Sequence, residues 1–184
     1  ASLARCKKKD IKIAYDAIKM AHKKRIHIFL ATSKIHRKYK LKKTKKEIKE
    51  MVTEGVTYAK TLCDDVEFTL EDATRTEKKF ACEIIDLAIA SGVTTINIAD
   101  TVGYMLPNEY RNFLNDLKKN SNLSKVKIST HCHNDLGMAT ANTMTAIECG
   151  IDQIECTING IGERAGNTAL EEIIATIQTK KNIL

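Results

Sequence analysis

The chain has 184 residues, a formal net charge of +7, 43% hydrophobic residues, 5% aromatics and no Trp. That is long enough for one domain with a sizeable core, and an apolar fraction this high without low-complexity tracts excludes a disordered chain. No apolar run approaches the ~18 residues of a membrane span, and Ala1–Lys7 has neither the charged nor the apolar region of a signal or transit peptide.

The opening residue is not Met, so the chain is expected to be cut from something longer. A truncated strand over Ser2–Ala4 comes first, followed by an amphipathic helix over Ile11–Lys23. The β-branched, apolar run Arg25–Leu30 predicts a strand. Next comes the basic stretch Lys34–Lys46. Such a stretch can hold phosphates or nucleic acid. The stacking aromatics that nucleic acid needs are missing, so the segment reads as a solvated loop and helix start. A weaker reading lets a few of its lysines meet the phosphates of a nucleotide-bearing substrate.

Ile48, Met51, Val52, Gly55, Val56 and Ala59 recur on one helical face. A strand over Asp65–Thr69, a helix through Ile84, Ile85, Leu87 and Ala88, and a strand over Thr94–Ile98 follow. Pro107 opens the helix of Tyr110, Phe113, Leu114 and Leu117, a position where its missing N–H costs nothing. The last expected elements are a strand over Val126–Ser129, a helix over Ala139–Cys149, a strand over Gln153–Ile158 and a helix over Ala169–Ile177. Cys6, Cys63, Cys82, Cys132, Cys149 and Cys156 are scattered through these elements without a CxxC pair. They read as reduced thiols in a reducing, cytoplasmic compartment.

Strand–helix alternation with long crossovers predicts an α/β fold with a parallel sheet. An open doubly wound sheet gathers ligands at one switch point. Here polar clusters follow five successive strands: Thr32-Ser33, Glu71-Asp72, Asp100-Thr101, His131–His133 and Glu163–Asn167. That distribution suits the mouth of a (β/α)8 TIM barrel. The chain supplies about six βα units where a full barrel has eight and ~250 residues. It is therefore expected to be an incomplete barrel without its first two units. A complete six-unit structure is the alternative.

Two motifs carry the chemistry. In His131-Cys132-His133-Asn134-Asp135, at a strand tip, His131 and His133 point to the same side. Neutral imidazole is the commonest metal ligand. The second motif, Asn159–Asn167, is a loop spaced by Gly160, Gly162 and Gly166, and it can bring an oxygen donor alongside. Mixed imidazole and oxygen ligation suits Mn²⁺, Zn²⁺, Fe²⁺ or Mg²⁺. A metal-dependent amidohydrolase barrel also uses HxH, but on its first strand with further ligands downstream. Here no histidine follows His133.

Together, His131–Asp135 and Asn159–Asn167 resemble the 2-isopropylmalate synthase family of acyl-CoA condensing metallolyase barrels. Arg25–Ser33, Asp64–Phe68, Glu71–Ala73 and Thr94–Tyr104 extend the resemblance over the whole chain. It implies that residues 1–184 are one partial catalytic barrel domain, similar to pyruvate carboxyltransferases, with the regulatory domain outside this chain. It further implies condensation of acetyl-CoA with 3-methyl-2-oxobutanoate to give 2-isopropylmalate and CoA, the entry to leucine biosynthesis.

The resemblance makes His131, His133 and Asn167 the metal ligands, with Mn²⁺ first and Mg²⁺ or Zn²⁺ next. The family's fourth ligand, an aspartate in an Arg-Asp-Gly-Glu run, is absent from this chain, as is the Arg beside it. Glu71 is the expected base or substrate-orienting carboxylate, the alternative being a glutamate that pairs or caps near a helix start. His27, Thr69 and Thr101 are expected to line the oxo-acid pocket. Glu163 and Arg164 should form an ion pair that shapes the glycine loop, while Asn134 and Asp135 support the histidines or the loop. Ala99 departs from the family's usual Pro. The implied assembly is a homodimer or homotetramer of the longer protein, without nucleic-acid or membrane partners. Homocitrate synthase, citramalate synthase and a non-enzymatic basic binding module stay open as alternatives.

Overall fold

The computed structural model describes residues 1–180. Strands and helices alternate: β1 (Ser2–Arg5), α1 (Lys8–Ile18), β2 (Ile26–Ala31), α2 (Lys45–Leu62), β3 (Val66–Glu71), α3 (Lys78–Ala90), β4 (Thr95–Asp100), α4 (Pro107–Asn120), β5 (Lys127–Cys132), α5 (Ala139–Glu148), β6 (Gln153–Glu155) and α6 (Leu170–Thr179). All the strands are parallel and lie in chain order from β1 to β6. No helix among the described residues is long and apolar enough to cross a membrane.

Strand parity sorts the two faces. Ile26, Ile28 and Leu30, then Val66, Phe68 and Leu70, then Ile96 and Ile98 are buried in the core. Buried helix residues such as Ile48, Val52, Phe80, Ile84, Tyr110 and Leu114 pack in the same core. The intervening residues face the other way and are mostly polar: Arg25 and His27, Glu67 and Thr69, Asn97, Ser129 and His131, Gln153 and Glu155. This polar face is concave. Arg25 Nη1 donates to Gln153 Oε1 at 2.7 Å. In a flat sheet, strands four steps apart would be separated by roughly 19 Å. The sheet therefore curls on itself as an open part of a (β/α)8 barrel, with helices on its convex side.

Inside the curl, Arg25 also donates to Asp65 and Glu67, both at 2.9 Å. Gln153 Nε2 donates to Glu67 Oε1 at 2.9 Å and to Ser129 Oγ at 3.0 Å. This layer satisfies its buried charges and closes the floor beneath the site. Local signals start the helices as expected. Thr44 and Glu47 form a reciprocal cap on α2, and Pro107 begins α4 with Glu109 accepting from the Leu106 N–H.

Three segments differ from expectation. The helix expected to reach Lys23 ends at Ile18, and Met20 is exposed. The basic stretch is not merely solvated: His36–Leu41 forms a π-helical segment that buries Arg37. Arg37 donates to Thr32 O and to both oxygens of Glu77, at 2.9 and 2.8 Å, and lies over the Phe80 ring. The last strand stops at Glu155 rather than Ile158, because Ile158–Gly160 forms a 3-10 turn with Asn159 and Gly160 at positive φ.

Candidate metal and substrate site

The mouth of the curl holds a cavity of about 390 Å³. His27 from β2, Thr69 and Glu71 from β3, Thr101 after β4, His131 and His133 at the tip of β5, and Glu163 and Asn167 from the glycine loop all line it. The expected ligands and pocket residues thus meet in one place. Asn134, Asp135 and Arg164 stand behind the lining.

Backbone pairing explains how residues so far apart in sequence meet. His133 and Asn167 face each other across an isolated antiparallel bridge. Asn134 N donates to Gly166 O at 2.9 Å and Thr168 N to Cys132 O at 3.1 Å, so the glycine loop runs back along the histidine motif. Gly166 makes this possible. Its φ is +97°, and a Cβ there would stand 2.3 Å from Gly160 O.

His131 Nε2 and His133 Nε2 are 3.1 Å apart. Two nitrogen ligands at right angles on an ion, each with a bond of ~2.1 Å, would stand roughly 3.0 Å apart. Burial first, then the neighbouring His131 and Arg164, holds the His133 imidazole below its ordinary pKa. That direction favours the neutral ring, the form a metal ligand must take. Oδ1 of Asn167 is buried without a hydrogen-bond partner. An unpaired buried carbonyl oxygen is costly, and a cation offers it a partner. The donors present fit a divalent ion.

A second cluster, His27, Glu67 and Glu155, brings one potential ligand atom from each residue within 4.8 Å of the others. Both oxygens of Glu67 are already engaged, Oε2 by Arg25 and Oε1 by Gln153. The cluster lies deeper in the curl, and one of its two carboxylates, Glu67, is committed to a structural network. The histidine pair is the better metal site.

Glu71 caps β3 and pairs with Lys40 from the π-helical segment, while His36 Nδ1 is 3.6 Å from the same carboxylate oxygen. The basic stretch therefore touches the site through Lys40 and His36. His27 Nε2 and Thr69 Oγ1 are 2.5 Å apart. Thr101 Oγ1 accepts from the Asp72 N–H at 2.8 Å, which leaves its own proton free to donate.

The loop clamp differs from expectation. Arg164 makes its main pair with Asp135, at 2.6 and 2.9 Å, and donates to Thr101 O at 2.7 Å. Its contact with Glu163 is longer, 3.3 Å, and Glu163 is 78% exposed. The hydrogen bond from Arg164 holds Asp135 below the usual carboxylate range. Asn134 Oδ1 accepts from Ala139 N at the start of α5.

Gly162 of the glycine loop also lines the cavity, together with Phe29, Asn97, Ala99 and Glu155, which belong to neither motif. Glu155 is the most informative of them. Its Oε2 is 2.9 Å from His131 Nδ1, and its Oε1 is 3.8 Å from His27 Nδ1. Burial acts to raise the Glu155 carboxyl, but the hydrogen bond to His131, with His27 also close by, outweighs it and lowers the pKa.

Residues 1–183 match the model of the HMGL-like family. The chain belongs to the HMGL-like family. Within it, the chain is 53% identical over 183 residues to a 2-isopropylmalate synthase of Pyrococcus furiosus, covering 99% of this chain and 37% of that protein. It is 54% identical over 181 residues to a 2-isopropylmalate synthase of Rhodopirellula baltica, covering 98% of this chain and 34% of that protein. The HMGL-like chain thus spans little more than a third of these curated relatives. In fold it is similar to the hydroxymethylglutaryl-CoA lyase of Bacillus subtilis, with a TM-score of 0.81, 18% identity, and coverage of 96% of this chain and 61% of that one. The HMGL-like family depends on divalent metals.

Proposed function

We propose that this chain is the metal-bearing part of a longer 2-isopropylmalate synthase. That protein would condense acetyl-CoA with 3-methyl-2-oxobutanoate, release CoA, and open leucine biosynthesis. The observation that carries the reading is that His131, His133 and Asn167 line one cavity, with the two Nε2 atoms 3.1 Å apart and Asn167 Oδ1 unpartnered, in a chain 53% identical to a protein of that name.

In this reading His131, His133 and Asn167 hold a divalent cation, Mn²⁺ before Mg²⁺ or Zn²⁺. A cation there supplies Lewis acidity to a ketone and countercharge to the neighbouring carboxylate. Thr101 and the His27–Thr69 pair hold the oxo acid by hydrogen bonds and orient its ketone carbon. Glu71 takes a proton from the methyl carbon of acetyl-CoA. The C–H electron pair forms the new C–C bond to the ketone carbon, and the ketone oxygen becomes a hydroxyl by gaining a proton. Water then breaks the thioester, giving a second carboxylate and the free thiol of CoA. Lys40, already beside Glu71, lies where an anionic substrate would approach.

The remaining ligand and the neighbouring Arg would come from the part of the barrel outside this chain. A leucine-sensing region and a dimer or tetramer belong to the longer protein. The six free cysteines fit a reducing cytoplasm. A thiol-release assay on the longer protein with a panel of 2-oxo acids, with and without a chelator, tests the proposal. The reading expects metal-dependent release, fastest with 3-methyl-2-oxobutanoate. Faster turnover of 2-oxoglutarate or pyruvate would move the assignment to homocitrate or citramalate synthase, and release unaffected by chelation would end it.

A further inference from the structure

We propose that Glu155 is a positioning residue that locks His131 in the tautomer protonated on Nδ1, so that the Nε2 lone pair faces the cavity. The inference rests on the metal reading above and extends it to a residue outside both motifs.

His131 on β5 and Glu155 on β6 are direct partners in the parallel ladder. Directly opposed residues project from the same face and their side chains meet. Here they meet at 2.9 Å, Nδ1 to Oε2. An ionised carboxylate only accepts hydrogen bonds, so Nδ1 of His131 must be the donor. A neutral imidazole protonated on Nδ1 carries its lone pair on Nε2, the atom that lies 3.1 Å from His133 Nε2 at the cavity. Without the carboxylate the two tautomers of His131 would compete, and one of them turns an N–H toward the cation.

The carboxylate is itself well placed. Glu155 follows Gln153 on the same face of β6, and Gln153 is tied to Arg25, Glu67 and Ser129. That network fixes the strand from which Glu155 projects. A carboxylate behind a ligating imidazole sets ring orientation and raises ligand basicity. The β6 strand is only Gln153–Glu155, so its last ladder position coincides with the residue that supports His131.

The test uses the longer protein and two substitutions, Glu155→Ala and the isosteric Glu155→Gln, with Mn²⁺ as the probe. Free Mn²⁺ is counted by electron paramagnetic resonance during a titration. Side-chain ¹⁵N shifts of His131 are read in the metal-free protein. Glu155→Ala should weaken Mn²⁺ binding by about 10–100-fold and leave His131 in mixed tautomers. Glu155→Gln keeps an acceptor oxygen and should recover most of the affinity; if the alanine variant does not fold, Glu155→Asp, with its shortened reach, takes its place. Wild-type affinity in Glu155→Ala, or in the Glu155→Asp that replaces it, or His131 protonated on Nε2 with Glu155 intact, would overturn the inference. Loss of the metal reading is distinguishable: Mn²⁺ binding would then be unchanged by His131→Ala, while the ¹⁵N shifts still decide the tautomer.

Discussion

A Cβ at Gly162 would stand 2.4 Å from Oδ1 of Asn167 and 2.6 Å from its Cγ. Gly162 is thus the wall against which the proposed carboxamide ligand rests. Its backbone lies outside the left-handed region, so alanine is tolerated conformationally. Gly162→Ala should therefore displace Asn167 without unfolding the chain. Mn²⁺ affinity, measured by titration, should fall by about tenfold or more, while the thermal midpoint shifts by less than about 4 °C.

Gly103 presents the opposite case. Its φ is +55°, and a Cβ would stand 2.6 Å from both His133 O and Asp135 N, which are backbone atoms that cannot swing aside. Gly103→Ala should cost about 2 kcal/mol or more through strain and overpacking. Urea denaturation measures it, and the metal site should loosen as well because the clash falls on the histidine segment.

Arg37 and Glu77 give a prediction in pH. The hydrogen bond from Arg37 brings the Glu77 carboxyl down from 4.5 to about 2. A carboxyl depressed in the folded state contributes stability that is fully present above about 4.5 and is lost as pH falls through about 2. Glu77 is 41% exposed, so solvent screening keeps that contribution small. Urea midpoints of wild type and Glu77→Gln should differ at pH 7 and converge near the acid end of that window. Arg37→Ala should cost more, about 2 kcal/mol, because it also removes the donor to Thr32 O and one of the two cations over Phe80.

Glu71→Gln should slow condensation by about 10²–10⁴-fold if this carboxylate takes the proton. Oxo-acid binding, followed by calorimetry, should change little. Equal losses in binding and turnover would instead make Glu71 an orienting residue.

Much of this arrangement was legible in the sequence. The strands were legible in the apolar, β-branched runs Arg25–Leu30 and Asp65–Thr69, and His131, His133 and Asn167, which the resemblance assigns to one site, line one cavity. Other features depended on partners distant along the chain. Arg37 looked like one more cation in a basic run, since its burial requires Glu77 and Phe80. Glu155 looked like an ordinary strand glutamate, since its meaning comes from ladder register with His131. Asp135 outcompetes Glu163 for Arg164 because the loop reverses along the histidine motif, which adjacency in sequence could not reveal. The early end of β6 follows from the left-handed backbone of Asn159 and Gly160.

The most direct test is a crystal structure of the longer protein grown with Mn²⁺ and a 2-oxo acid, with data collected at the manganese absorption edge. The account predicts a single anomalous peak bonded by His131 Nε2, His133 Nε2 and Asn167 Oδ1 at ~2.0–2.2 Å. A peak among His27, Glu67 and Glu155, or none beside the histidine pair, would contradict it.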